Sequence, residues 1–484
     1  MVDPLSLRAA EEEAPDALAL LFDPGEGAPL RAYTFAQLAR EAAGLADVLV
    51  AHAAGEPIAV RGTNRVETAL ALLGLIDRGV SFVLVHPRWT EGEARAIAQD
   101  AGAVGPIVDD AALDGYAREA LARPRTSVVP VTHAPDPERT LAWLYTSGTT
   151  GTPRGAALSR RAFVASARGS ERNLGWNASD RWLLCLPLCH IGGLSVLTRC
   201  LLARKPVILL PRFDEARVCA AIREHAVTLA SFVPTMLDRA LDHPDSAALA
   251  GLRAILLGGA PASPTLLARC ASRAILTLNT YGLTEACSQV TTQAPRDPRT
   301  VALDCGSALD GVGLEARNEQ GNPCAPDEVG RVFVRGPTLF SGYRGQPLRR
   351  PDDWFDTGDF GALDAQGRLT VHARRTDLVV TGGENVYPLE VERALAGVSG
   401  VREALVFGVE DPRWGQRVAV ALVVGEGFDP DRFAAECRDR LASHKRPRRY
   451  ALVPSLPVTP AGKPDRRAAV TLLGPLTRPL DPRG

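Results

Sequence analysis

Residues 145–155 read Tyr145-Thr146-Ser147-Gly148-Thr149-Thr150-Gly151-Thr152-Pro153-Arg154-Gly155. Leu141, Trp143 and Leu144 lead in, and an apolar, helix-compatible run follows from Ala156. The three glycines let backbone N–H groups approach an anion with no Cβ in the way. Thr146, Ser147, Thr149, Thr150 and Thr152 add hydroxyl donors. Such a loop suits the phosphates of a nucleotide. It is not a Walker loop, because no Gly-Lys-Ser/Thr follows four residues after a glycine. A plain Ser/Thr/Gly surface loop is the alternative, so the surroundings must decide.

Those surroundings alternate strand-like and helix-like patterns, which predicts α/β layers with mostly parallel sheets. Before the loop, Thr34 is a predicted N-cap for a helix over 35–50, and Gly79 a predicted stop for one over 66–78. Strands are expected at 57–60, 81–85 and 106–108, a helix at 90–101, and a connecting loop at 122–140. After it, a helix is expected at 160–173, a buried strand at 182–188 and a helix opening at His190. Further strands are expected at 206–210, 229–233, 254–257 and 275–279. From about residue 300 short strands with turn signals indicate a small β subdomain. A compact tail follows residue 376, with helices near 388–397 and 429–442.

The chain has 484 residues, enough for more than one domain, and its 46% hydrophobic content is ordinary for a globular protein. A net charge of −1 gives no case for nucleic acid or an anionic membrane as partner. The start is polar and acidic, and no apolar run approaches the roughly 20 residues of a membrane span. A cytoplasmic protein is the expectation. Nine scattered cysteines fit reduced, mostly buried thiols. Cys185, Cys189 and His190 lack a second ligand pair at zinc spacing, so no zinc site is read from them. Only Lys205, Lys445 and Lys463 are lysines among 55 basic residues. Where arginine is used nearly everywhere, a retained lysine marks a position that arginine does not fill.

Five further stretches carry chemistry. Tyr281-Gly282-Leu283-Thr284-Glu285 closes a strand at its carboxyl end, where α/β sheets bind ligands. Its carboxylate suits Mg²⁺ and its ring suits an adenine; a helix start capped by Thr284 is the plain reading. Asp356-Thr357-Gly358-Asp359 is a β-turn or a ribose clamp, and Arg374 lies fifteen residues on. Gly258-Gly259-Ala260-Pro261 gives a backbone flat enough to lie on a ring. Thr381-Gly382-Gly383-Glu384-Asn385-Val386-Tyr387-Pro388 is a Gly-Gly turn into a proline-started helix. Pro457-Val458-Thr459-Pro460-Ala461-Gly462-Lys463 holds a rare lysine in a loop.

In this order the six stretches resemble the signatures of the acyl-adenylate-forming (AMP-forming acyl-CoA synthetase) superfamily over nearly the whole chain. The resemblance implies a large N-terminal domain, 1–375, of two mostly parallel sheets with helices plus the β subdomain. It also implies a small mobile α+β C-terminal domain, 376–484, hinged at Thr376. ATP and Mg²⁺ are the implied cofactors and coenzyme A the co-substrate. Thr146, Ser147, Gly148, Thr149, Thr150, Gly151 and Arg154 would hold phosphates, with Arg154 standing where relatives carry lysine. Gly259, Ala260, Pro261, Tyr281, Asp359 and Arg374 would hold adenosine. Glu285 would take the metal, Thr284 a phosphate, and Lys463 would be catalytic. Gly382, Gly383 and Glu384 would line a thiol tunnel.

For the acid, residues 187–195 and 281–291 are most similar to o-succinylbenzoate–CoA ligases of menaquinone biosynthesis, with the Ser288-Gln289 pair the sharper likeness. His190, Ser195, Gly258, Ser288, Gln289 and Thr291 are then the acid-binding candidates. Another aryl- or medium-chain acyl-CoA ligase, or an enzyme loading a carrier protein, are the alternatives. The partners are small molecules, and the sequence leaves self-association open.

Overall fold

A computed structural model describes residues 3–25, 27–122, 136–146, 153–374, 377–381, 384–459 and 463–480. Local signals set many element ends. Thr34 and Gln37 form a reciprocal capping box at the start of helix Phe35–His52, and Thr90 and Glu93 do the same for Glu91–Ala101. Gly79, at φ +67°, closes helix Val66–Arg78 in the left-handed conformation that glycine adopts freely.

Two large sheets form the N-terminal body. Among the described residues, one has nine strands with a parallel centre: Thr277–Leu283, Ala254–Leu257, Leu229–Phe232, Trp182–Leu184 and Val207–Leu209. The other carries Ile58–Arg61, Phe82–Val85 and Thr140–Thr146 in parallel, then Arg154–Ser159 returning antiparallel. An apolar cluster including Phe35, Phe82, Phe163, Trp182 and Phe340 fills the space they share with their helices. Each such side chain contributes about 1.5–3 kcal/mol on burial. A four-stranded antiparallel sheet, Gly313–Arg317, Gly330–Arg335, Phe355–Leu363 and Leu369–Arg374, is the β subdomain. Residues from Val379 on build a separate sheet with its own core around Val406, Val420 and Phe433.

Several expectations need correction. The buried strand ends at Leu184, because Asn64 captures the chain beyond it. Its side chain accepts from Leu188 N at 2.9 Å and donates to the Leu186 and Leu210 carbonyls. Residues 106–108 contribute a single bridge, Val60 to Val108. Helices Asp110–Ala122 and Pro234–Asp242 and strands Leu18–Phe22 and Arg31–Thr34 were not expected. The first of these helices carries one fully buried side chain, Leu113, so its apolar periodicity is faint. All nine cysteines are free thiols, seven of them buried. Among the described residues no helix is long and apolar enough to cross a membrane.

Candidate functional site

The site assembles at the carboxyl end of strand Thr277–Leu283. Tyr281 is buried, and its hydroxyl donates to Asp359 Oδ2 at 2.6 Å across the gap to the β subdomain. Asp359 is itself 6% exposed. The Asp356–Asp359 segment is not a free β-turn. It is a bulge inside strand Phe355–Leu363, with Gly358 at φ +75°. Asp356 does retain turn chemistry: its Oδ1 accepts from Gly358 N, and it pairs with Arg331. Arg374 ends the neighbouring strand with its backbone opposite Asp359.

Thr146 and Arg154 face each other in register at the ends of the two strands that frame the phosphate loop. Ser147, Gly148, Thr149, Thr150 and Gly151 lie outside the described residues. The Arg154 guanidinium lies 3.5 Å from the centroid of the Tyr343 ring and donates to Gln346 Oε1 at 3.2 Å. Tyr343 in turn donates its hydroxyl to Glu285 Oε1 at 2.6 Å. Burial and the Glu285 carboxylate push the phenol pKa well up, so Tyr343 stays a donor. Only one oxygen of the buried Glu285 is engaged among the described residues, and the other remains for a cation. Thr284 does not cap a helix. It opens the short turn Thr284–Ala286, whose cap position is Leu283.

The third corner is built from Gly258-Gly259 and the Lys463 loop. A Cβ at Gly258 would meet the Thr280 side chain at 2.6 Å, so glycine is required there. Gly259, at φ +81°, has Lys463 Cε 3.3 Å from where its Cβ would stand. Ala260 is half-buried and Pro261 exposed at the following turn. Lys463 O accepts from Thr459 N at 2.7 Å and its N donates to Thr459 Oγ1 at 3.2 Å, closing its loop. Its charge reaches His190. Burial first, then His86, then Lys463 bring the His190 pKa down to about 4.

Helix Ile191–Ala203 runs from His190 into the core. Ser195, 2% exposed, has its hydroxyl 3.3 Å from Ser288 Oγ. One turn further, Arg199 donates to Ser288 Oγ at 3.0 Å. The sequence reading missed Arg199. It is 3% exposed, its Nε has no partner, and among the described residues no carboxylate pairs with it. Burial brings its pKa down to about 10. Gln289 Nε2 donates to Thr292 Oγ1 at 2.6 Å, but Gln289 Oε1, Thr291 Oγ1 and His190 Nε2 have no partner. An arginine inside the apolar run Leu194–Ala203 is the sequence signal that would have found it. Tyr343 had no comparable local signal.

Of the thiol-tunnel candidates only Glu384 lies among the described residues. Glu384 is exposed on strand Glu384–Val386, paired with Val379–Thr381, while Gly382, Gly383 and the hinge candidate Thr376 lie outside the described residues.

Known proteins share both sequence and shape. The pattern of the AMP-binding enzyme family matches residues 7–344, and that of the AMP-binding enzyme C-terminal domain matches 390–463. A 2-succinylbenzoate–CoA ligase of Geobacillus kaustophilus is 37% identical over 464 residues, covering 92% of this chain and 94% of the relative. o-Succinylbenzoate CoA synthetase of Bacillus subtilis, solved with the acyl-adenylate intermediate OSB-AMP, superposes with TM-score 0.81 at 30% identity, covering 95% and 96% of the two chains. The same enzyme solved with ATP and magnesium ion gives the same TM-score and identity, covering 95% and 98%.

Proposed function

The chain belongs to the AMP-binding enzyme family, and on that premise we propose that it activates 2-succinylbenzoate with ATP and passes the acyl group to coenzyme A. It is an AMP-forming acid–CoA ligase. The substrate carboxylate attacks the α-phosphorus of ATP, the bond to pyrophosphate breaks, and acyl-AMP forms. The thiol of coenzyme A then attacks the acyl carbon, its proton is lost, and AMP leaves with the carbonyl–oxygen bond electrons. This reaction belongs to menaquinone biosynthesis.

Residue roles follow from the geometry. Lys463 is a compact cation held beside Gly259 and within electrostatic reach of His190. This supports a role for it on the acid carboxylate and the α-phosphate, where charge shifts most in the first step. The Tyr281–Asp359 pair supplies a ring edge for adenine and a carboxylate for ribose hydroxyls. Glu285, held by Tyr343, would take the Mg²⁺ that accompanies ATP and neutralises its phosphate charge. The arrangement is one for adenylation. For the second step the small domain, from residue 376 on, pivots and exchanges Lys463 for the 382–387 loop.

One observation carries the choice of acid. Arg199 is a buried cation that no carboxylate among the described residues pairs with, and it donates to Ser288, whose hydroxyl lies beside that of Ser195. An unpaired buried charge is costly, and a second substrate carboxylate removes that cost. Monocarboxylic acids leave it in place. The test is pyrophosphate release and thioester formation across 2-succinylbenzoate, benzoate, a coumarate, octanoate and palmitate. Strong preference for the diacid is expected; equal turnover of benzoate would discard it.

A further inference from the structure

Beside the acid end of the site, and sharing His190 with it, three metal-ligating side chains meet where the two large sheets face each other. His86 directly follows strand Phe82–Val85, while Cys189 and His190 end the turn into helix Ile191–Ala203. A ring nitrogen from each histidine and the Cys189 sulfur all lie within 4.8 Å of one another. The two imidazole centroids are 5.3 Å apart. Cys185, nearest in sequence, is not part of the group. His86 comes from 103 residues before Cys189, beyond the reach of any spacing rule.

The cluster is built rather than accidental on three counts. A Cβ at Gly62 would fall 2.7 Å from Cys189 Cβ, so a bare backbone closes on the thiol and holds it. Cys189 is 7% exposed, and His190 Nε2 is buried without a partner. A neutral imidazole offers a cation one ring-nitrogen lone pair. Against binding stand the Arg88 charge, which bears on His86 and Cys189, and a hydrogen bond from Arg88 N to His86 Nδ1. Ligation through His86 Nε2 moves the ring proton to Nδ1 and gives up that bond.

We propose that His86, Cys189 and His190 bind one thiophilic divalent cation, with zinc the matching ion. Two imidazoles and a thiolate are a borderline-soft set, and Zn²⁺ accepts three protein ligands with water in the fourth position. Binding expels the Cys189 proton to solvent, and the cation's charge stabilises the thiolate that burial alone disfavours. The ion then sits within reach of Lys463, whose charge already bears on His190. Like charges in a partly desolvated site repel, so the bound ion drives Lys463 from Gly259 and stops adenylation. Zinc is thus an inhibitor acting beside the nucleotide. The inhibition rests on the adenylation reading; the binding does not.

The probe for binding is Co²⁺ added to the full-length, metal-free chain. A thiolate-to-cobalt charge-transfer band saturating at one ion per chain is expected. It is lost in Cys189→Ala, weakened in His86→Gln and kept in Cys305→Ala. Persistence of the band in Cys189→Ala, or no band in the parent chain, would overturn the site. The second arm is pyrophosphate release at buffered free zinc and saturating MgATP. Both His86→Gln and Cys189→Ala should keep zinc-free turnover while the half-inhibiting zinc concentration rises at least about tenfold. Equal zinc sensitivity in the parent and both variants would overturn inhibition through this cluster, even with the cobalt band intact. A failure to release pyrophosphate with any acid, beside a normal cobalt titration, would sink the adenylation reading alone.

Discussion

The nucleotide end and the acid end of the site are finished to different degrees. Around the nucleotide, polar groups already satisfy one another: Tyr281 on Asp359, Tyr343 on Glu285, Arg154 on the Tyr343 face and Gln346. Around the acid they do not. Among the described residues, His190 Nε2, Arg199 Nε, Gln289 Oε1 and Thr291 Oγ1 are all buried without a partner. Buried polar groups are nearly always paired, and exceptions ask for a reason. The contrast indicates a nucleotide pocket organised before binding and an acid pocket completed by its substrate. Pre-organisation favours rate, because little has to move as charge develops. Unsatisfied groups favour selectivity, because an acid lacking the right partners leaves them stranded.

The largest effect expected comes from the group that serves both ends. Lys463→Ala should lower adenylation about 10³-fold while sparing thioester formation from supplied acyl-AMP. Single-turnover assays of each half-reaction check this, and normal adenylation would remove Lys463 from the chemistry. Arg199→Met tests the acid end. It should raise KM for 2-succinylbenzoate roughly 10²-fold, leave weak benzoate turnover alone, and raise stability by about 1–3 kcal/mol as a buried charge disappears. Equal losses on both acids would show that Arg199 only supports the fold.

Tyr343→Phe tests the nucleotide end. Losing the donor frees the Glu285 carboxylate, and the Mg²⁺ concentration for half-maximal rate should rise roughly tenfold, with KM for the acid unmoved. Arg154→Lys keeps a cation over the same ring and should stay within about threefold of the parent, since a stacked ammonium loses some cation–π contact. The smallest effect concerns pH. His190 is depressed in the folded state, to about 4, against about 6.5 for a free imidazole. A neutral buried histidine contributes stability that is complete above the unfolded value and is lost as pH falls towards the folded one. Urea midpoints should fall between pH 6.5 and 4, and His190→Asn should flatten that fall.

Legibility followed the range of each signal. Thr34, Thr90 and Gly79 act on backbone groups three or four residues away, and all three sit at the element ends the sequence marked. Glu285, Asp359 and Lys463 could be singled out as candidates because their stretches are short and their order fixed. Asp356–Asp359 was misjudged as a turn because only pairing with Gly330–Arg335 makes it a bulged strand. Leu186–Leu188 failed as a strand because Asn64, from the loop after strand Ile58–Arg61, holds its backbone.

The sequence by itself determined the order of layers, the ends of helices and the list of reactive residues, since each depends on neighbours along the chain. The tertiary structure alone decided which residues face one another. It set Tyr343 on Glu285, Arg199 under Ser288, Lys463 on Gly259 and His86 beside Cys189. These pairs are 58 to 204 residues apart in the chain, and no pair shares an element. Charge, hydrogen bonding and burial act over a few ångströms of space, and no periodicity in one strand or helix encodes the distance to another.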